Sequence, residues 1–187
     1  MQETELKVLL TEEQYVVLCK KFKCNKVVNQ INFYYSDELN IIRNQGITVR
    51  VRGKDNRARL EIKVPCGEQG LVHRKNEYAK DLEAIPLNID RKTIKEIADI
   101  EVPRVAMKGY LITERKMVNW DNETEICLDR NQYLSVTDYE LEVEYNDRIP
   151  DRVLDILKSE RIPLVKTNGK CNRFFEQLER RENGESK

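Results

Sequence analysis

Apolar and charged residues alternate with period two through several segments of this chain, and with period 3.6 through several others. Residues 3–10 open the pattern. Thr4, Leu6 and Val8 fall on one side of an extended chain and Glu3, Glu5 and Lys7 on the other. Thr11-Glu12-Glu13-Gln14 then reads as a capping box, and Tyr15, Leu18, Cys19 and Phe22 follow at helical spacing as an apolar stripe. Residues 27–36 read as a strand, 37–44 as a polar connection with a short helix or turn, and Gly46 as the restart of extended chain. The clearest hairpin joins 47–52 to 57–64 across Gly53-Lys54-Asp55-Asn56, with Pro65 and Gly67 ending it. Further strands are expected at 71–78, 108–119, 125–128 and 136–145, with a turn at Asp129-Arg130-Asn131-Gln132. Helices are expected at 90–100, 151–161 and 170–181. With neither repeat nor linker, 1–181 reads as a single domain, and 182–187 as a disordered polar tail.

Composition narrows the function. Charged residues make up 35% of the 187, yet 33 basic and 33 acidic side chains cancel. Zero net charge argues against nucleic-acid and membrane partners, which call for a basic excess. The five cysteines are scattered, without a C-x-x-C pair, and His73 is the only histidine. A zinc site, a disulfide framework and a multi-histidine metal site are all disfavoured. Free thiols suit a reducing cytoplasm, and the N-terminus carries neither signal peptide nor membrane-length apolar run.

The charge is therefore local. Glu3 and Glu5, two residues apart on a strand, lie roughly 6.5–7 Å apart at the backbone, close enough to lean onto one hard cation. Residues 139–145 place Glu140, Glu142 and Glu144 on one face of a strand and four apolar residues on the other. Arg50 and Arg52 do the same with positive charge, opposite a second arm carrying Arg59, Glu61 and Lys63. A solvated sheet face explains such alternation in most proteins. Three glutamates on one face repel unless cations neutralise them, and arginine suits bidentate phosphate recognition. A barrel with the charged face inside would hold a metal–polyphosphate complex: carboxylates on the metal, cations on the phosphates. On this reading, removing Glu5 or Glu142 raises stability in the absence of cation. The aromatics Tyr34, Tyr35, Tyr139 and Tyr145 read as core or outer-face packing rather than a base-binding slot.

These residues resemble the CYTH family, the triphosphate tunnel metalloenzymes, and in their opening the Firmicute-type bacterial members. Glu3-x-Glu5-x-Lys7 is similar to the family signature, and Asn32 to Asp37 to its N-x-Y-F-D segment. Arg50-Val51-Arg52, Leu60 to Lys63 and Thr113-Glu114-Arg115 resemble the R-x-R strand, the strand ending in Lys and the T-x-R strand. Leu128-Asp129 with Tyr133-Leu134, Glu140 to Glu144, and Lys170 to Phe174 match the remaining segments in order. Gly70 to Tyr78 departs from the pattern, leaving the roles of Lys75 and Glu77 open.

The resemblance implies an α+β fold, an antiparallel eight-stranded closed β-barrel forming a tunnel with helices packed outside. It implies a metal-dependent triphosphatase using Mg²⁺ or Mn²⁺, with inorganic triphosphate as the expected substrate. Glu3, Glu5, Glu140, Glu142 and Glu144 would be metal ligands or their acidic surroundings. Arg50, Arg52, Lys63, Arg115, Lys170 and Arg173 would grip phosphate. Lys7 would contact phosphate or, with Glu5, serve the catalytic step. An adenylate cyclase, a thiamine or nucleoside triphosphatase, and a non-catalytic polyphosphate-binding module are the alternatives, and a homodimer is left open.

Overall fold

The computed structural model describes residues 2–24, 26–69, 72–165 and 167–184. The antiparallel α+β class expected from the sequence is the class observed. Among the described residues nine strands occur, one of them the two-residue β6. The chain divides into two compact units, one built mainly from Gln30–Gly67 and Arg74–Ile112, the other mainly from Thr4–Asn29 and Thr113–Lys187.

The second unit is organised by β1 (Gln2–Leu10) and β9 (Val136–Tyr145), which run antiparallel with Glu5 opposite Glu144 and Lys7 opposite Glu142. On the other side of β9 lies β8 (Thr124–Tyr133), with Asp129 opposite Glu140 and Asn131 opposite Asp138. Alternation sends Leu6, Val8, Leu10, Ile126, Leu128, Leu141 and Val143 to the opposite face, where all are buried. Helix α1 (Glu12–Lys21) covers that face with Tyr15, Leu18 and Phe22, and α4 (Asp151–Ser159) adds Val153 and Leu157. The capping box is present as expected: Gln14 N–H donates to Thr11 Oγ1 at 3.2 Å, and Thr11 N–H to Gln14 Oε1 at 2.9 Å. Helix α5 (Lys170–Glu182) extends one residue beyond the expected end and buries Phe174 and Phe175. Residues 185–187 of the expected tail lie outside the described residues.

One expectation fails here, and its failure matters for the site. Residues 129–132 are not a turn: β8 continues to Tyr133, and Leu134 and Ser135, both with positive φ, make the hairpin connection. A polar run of Asp, Arg, Asn and Gln imitates a loop, but in this strand its alternate members belong to the charged face.

The first unit holds most of β2 (Lys26–Ser36), the short α2 (Ile41–Asn44), β3 (Thr48–Lys54) and most of β4 (Arg57–Gln69). It continues with most of β5 (Val72–Leu82), β6 (Asn88–Ile89), α3 (Arg91–Ala98) and the start of β7 (Val105–Asn119). The β3–β4 turn narrows to Asp55-Asn56, both left-handed, and β4 runs through Pro65 instead of stopping there. Before α2, the Asp37 carboxylate accepts from the backbone N–H groups of Leu39, Ile41 and Ile42 at 2.9–3.0 Å. After α2, Gly46 has φ +68° and Pro65 Cγ only 3.0 Å from where a Cβ would stand, so glycine serves both conformation and space. Tyr35, Ile42, Val49, Val51, Leu60, Ile62, Ile94 and Val105 form this unit's core.

Candidate active site

The charged face of the second unit is a network rather than a set of isolated side chains. Glu142 lies at its centre. Lys7 Nζ donates to Glu142 at 2.7 Å and also pairs with Glu5 at 2.8 Å. Lys170, the first residue of α5, pairs with Glu142 at 2.7 Å and with Asp129 and Glu140 at 2.8 Å each. Arg115 on β7 sets its guanidinium fork on Asp129 at 2.8 and 2.7 Å and reaches Glu142 with the same Nη2. Arg173 donates to Asp138 at 2.9 Å, to Glu140 at 2.8 Å and to the Asn168 carbonyl at 2.5 Å. Below this layer Thr113 Oγ1 bonds Asn131 Oδ1 at 2.8 Å, and Asn131 and Tyr133 donate to Asp138 at 2.9 and 2.7 Å. Burial, which costs a charge its hydration, makes each of these pairings matter.

The electrostatics follow from this geometry. Burial alone would raise the Glu142 carboxyl, but Lys170, Lys7 and Arg115 outweigh it and hold the group well below the usual carboxylate range. Glu140 is lowered likewise: burial opposes, and Lys170 and Arg173 prevail. Burial would lower Lys7, yet Glu142, Glu5 and Glu140 keep it raised and protonated. Lys170 is raised for the same reason by Asp129, Glu140 and Glu142. Lys7, Arg115, Lys170 and Arg173 thus interleave with Glu5, Asp129, Asp138, Glu140 and Glu142 in one layer of alternating charge.

The place for such an ion is visible in the carboxylates themselves. One oxygen from each of Glu5, Glu142 and Glu144 lies within 4.8 Å of the other two. An all-oxygen set of this kind suits a hard cation such as Mg²⁺ or Mn²⁺. The buried Glu140 Oε1, on the same face of β9 as Glu142 and Glu144, has no hydrogen-bond partner among the described residues. The donor chemistry therefore fits the metal implied by the sequence resemblance. Of the five expected metal ligands, Glu5, Glu142 and Glu144 come together, Glu140 is held by Lys170 and Arg173, and the Glu3 side chain lies outside the described residues.

The remaining expected phosphate ligands belong to the first unit. Arg50 faces Glu61 across the β3–β4 ladder and holds it through Nε at 2.8 Å and Nη2 at 2.7 Å. Arg52 reaches the same carboxylate at 3.3 Å, and its Nε contacts Asn32 Oδ1 at 3.4 Å. Lys63 pairs with Glu77 on β5, which gives Glu77 a place on the charged face. Burial would raise Glu61, but Arg50 and Arg52 lower it. Tyr34, cross-strand from Arg50, lies on this charged side and is fully buried, while Tyr35 turns to the core and donates to the Pro86 carbonyl at 2.6 Å. Sequence reasoning did not single out Glu61, Asp129 or Asp138 as members of the site. Glu61 was readable from its place between Arg59 and Lys63, whereas Asp129, although part of a segment similar to the family's, was given no site role because it fell in the misplaced turn.

An antiparallel sheet with helices on its apolar face and a dense mixed-charge layer on the other places the protein in the α+β class. The CYTH domain family matches residues 1–175, and the chain belongs to that family. Its fold is similar to that of a candidate adenylate cyclase from Bacillus halodurans, at TM-score 0.71 and 24% identity over 92% of this chain and 97% of that one. It is also similar to HpAC1 from Hippeastrum, described as having a dominant triphosphatase activity, at TM-score 0.71 and 19% identity, covering 93% of this chain and 95% of that one. The Mimivirus capping enzyme triphosphatase matches at TM-score 0.53 and 11% identity, covering 86% and 87%. No curated protein matches the chain. Among the described residues no helix is long and apolar enough to cross a membrane.

Proposed function

We propose that this protein hydrolyses triphosphates in a reaction requiring Mg²⁺ or Mn²⁺, with inorganic triphosphate as its preferred substrate. The observation that carries the reading is the convergence of Glu5, Glu142 and Glu144 within 4.8 Å, flanked in the same unit by Lys7, Arg115, Lys170 and Arg173. A bound divalent ion would supply charge neutralisation at the phosphate oxygens and polarise the bond to be broken. The chain's own residues do the rest. Lys7, Arg115 and Lys170 exchange their carboxylate partners for phosphate oxygens, and Arg50, Arg52 and Lys63 are the further phosphate ligands. Lys7, held protonated by its acidic neighbours, acts as a cation toward phosphate and not as the base.

The preference for the bare triphosphate follows from the lining. The residues assigned to substrate are Arg and Lys, with Glu for the ion; Tyr35 packs in one core and Tyr139 and Tyr145 against the other, while Tyr34 lies on the charged side, fully buried beside Arg50. A base bound without directed contacts would add ordering cost and little affinity. Free thiols, five in number, agree with a cytoplasmic setting.

Phosphate release should be measured with inorganic triphosphate, ATP, GTP and thiamine triphosphate, each with Mg²⁺, Mn²⁺ or EDTA. The expected result is the highest kcat/KM for inorganic triphosphate and no turnover with EDTA. Glu5→Gln and Glu142→Gln should each lower kcat/KM by roughly a hundredfold or more, since each removes a ligand charge from the ion. Efficient formation of cyclic AMP, or wild-type rates in either variant, would overturn the assignment.

A further inference from the structure

Helix α1 ends in a Schellman motif. Cys24 N–H donates to the Cys19 carbonyl at 3.3 Å, Lys23 N–H donates to the Lys20 carbonyl at 3.3 Å, and Lys23 has a left-handed φ of 54°. This turn brings the side chain three positions inside the helix end against the one two positions beyond it, a contact that two apolar residues usually fill. Here both positions are cysteine, so the turn sets the two thiol-bearing side chains against each other. Both are half-buried and unlinked, and both pack at the edge of the second unit's core.

We propose that Cys19 and Cys24 form a thiol–disulfide site, in which hydrogen peroxide oxidises the pair to an intramolecular disulfide that a dithiol reductant reopens. The backbone turn brings the two side chains together before any reaction, so closure needs rotation about the side-chain bonds and no rearrangement of the helix. The Cys19 sulfur attacks one peroxide oxygen, the O–O bond breaks, and the departing hydroxide takes a proton to become water. Cys24 then attacks the resulting sulfenic sulfur, the S–O bond breaks, and the Cys24 thiol proton leaves with that oxygen as a second water. Two electrons pass from the pair to the peroxide.

The surroundings divide the roles. The neighbouring Cys24 thiol, Lys116 and the Tyr15 hydroxyl lower Cys19 to about 7, against burial and Glu114, which raise it. Cys24 is raised by the neighbouring Cys19 sulfur and by burial, as fits a thiol that reacts second. Cys127, by contrast, is fully buried and pushed up by burial.

The test is mass spectrometry of the full chain after hydrogen peroxide. Trypsin cuts at Lys20, Lys21 and Lys23, so the two cysteines fall on separate peptides unless a disulfide joins them. The expected result is a linked Cys19–Cys24 peptide in the non-reducing digest, abolished by dithiothreitol. Thiol titration of the denatured protein should fall from five to three. In Cys24→Ser the Cys19 sulfenic acid should persist and be trapped by dimedone; Cys19→Ser should show neither product. Circular dichroism of both variants establishes that they are folded. Thiol loss without the linked peptide, a first disulfide at Cys66 or Cys171, or unaltered oxidation of Cys19→Ser would overturn the proposal.

Discussion

Lys170 answers to three carboxylates at once, Asp129, Glu140 and Glu142, and is itself buried. Lys170→Met should therefore destabilise the protein by about 3–5 kcal/mol, because it leaves buried charges uncompensated. Urea denaturation without added metal checks it, and an unchanged midpoint would show that the acids find other partners. The same contacts reverse one expectation drawn from the sequence. Glu142→Gln was expected to relieve repulsion and stabilise the metal-free protein. With Lys7, Arg115 and Lys170 all resting on Glu142, the substitution should instead lower the melting temperature in EDTA. At this scale the sequence showed which residues are charged and which face they occupy, since period-two alternation carries that directly. It did not show who partners whom. The pairing of Arg115 with Asp129 depends on the β8–β9 register, and the register turns on a hairpin at Leu134-Ser135 that carries no glycine or asparagine to mark it.

Helices were the most legible elements. In α1 the Thr11–Gln14 box marks the start, and Tyr15, Leu18 and Phe22 mark the buried stripe. Leu18, fully buried, should cost about 2–5 kcal/mol on truncation to alanine, read as a fall in the unfolding free energy. Strand ends were less legible, because ladder bonds carried β4 past Pro65 and β8 past Asp129 where local signals suggested a stop. The junction from β2 to α2 offers a test in pH. Burial would raise Asp37, but the backbone N–H groups of Ile42, Ile41 and Leu39 outweigh it and lower its pKa. A depressed folded pKa contributes stability that is complete above the unfolded value of about 3.9 and is lost as pH falls through the folded one. Asp37→Asn should then destabilise at neutral pH, and the difference from wild type should shrink on acidification below that value. A difference independent of pH would place the effect elsewhere.

For the whole molecule, the proposed function makes cation and substrate binding coupled, because both would draw on the same layer of paired charges. Without either, the basic side chains are occupied by carboxylates. A divalent ion that takes Glu5, Glu142 and Glu144 releases Lys7 and its neighbours toward phosphate, and a bound polyphosphate releases carboxylates toward the ion. Calorimetric titration should show Mn²⁺ binding roughly 5–150-fold tighter with a non-hydrolysable triphosphate analogue present, and the analogue tighter by the same factor with Mn²⁺. Additive binding would mean that the two do not share these side chains. Adding Mn²⁺ alone should raise the melting temperature by mass action, and chelation should return it.

Strand β9 serves two purposes with alternate residues: Glu140, Glu142 and Glu144 face the charged layer while Leu141 and Val143 fill the core. A strand of this kind tolerates substitution and insertion very differently. Exchanging one side chain alters one face. Inserting a single residue near Asp138 would send every carboxylate that follows into the oil of the core and every aliphatic side chain into the ionic layer. The same insertion at Leu134-Ser135 would only lengthen a hairpin. Lineages descended from such a chain can thus vary the chemistry of β9 letter by letter, but they must keep its length.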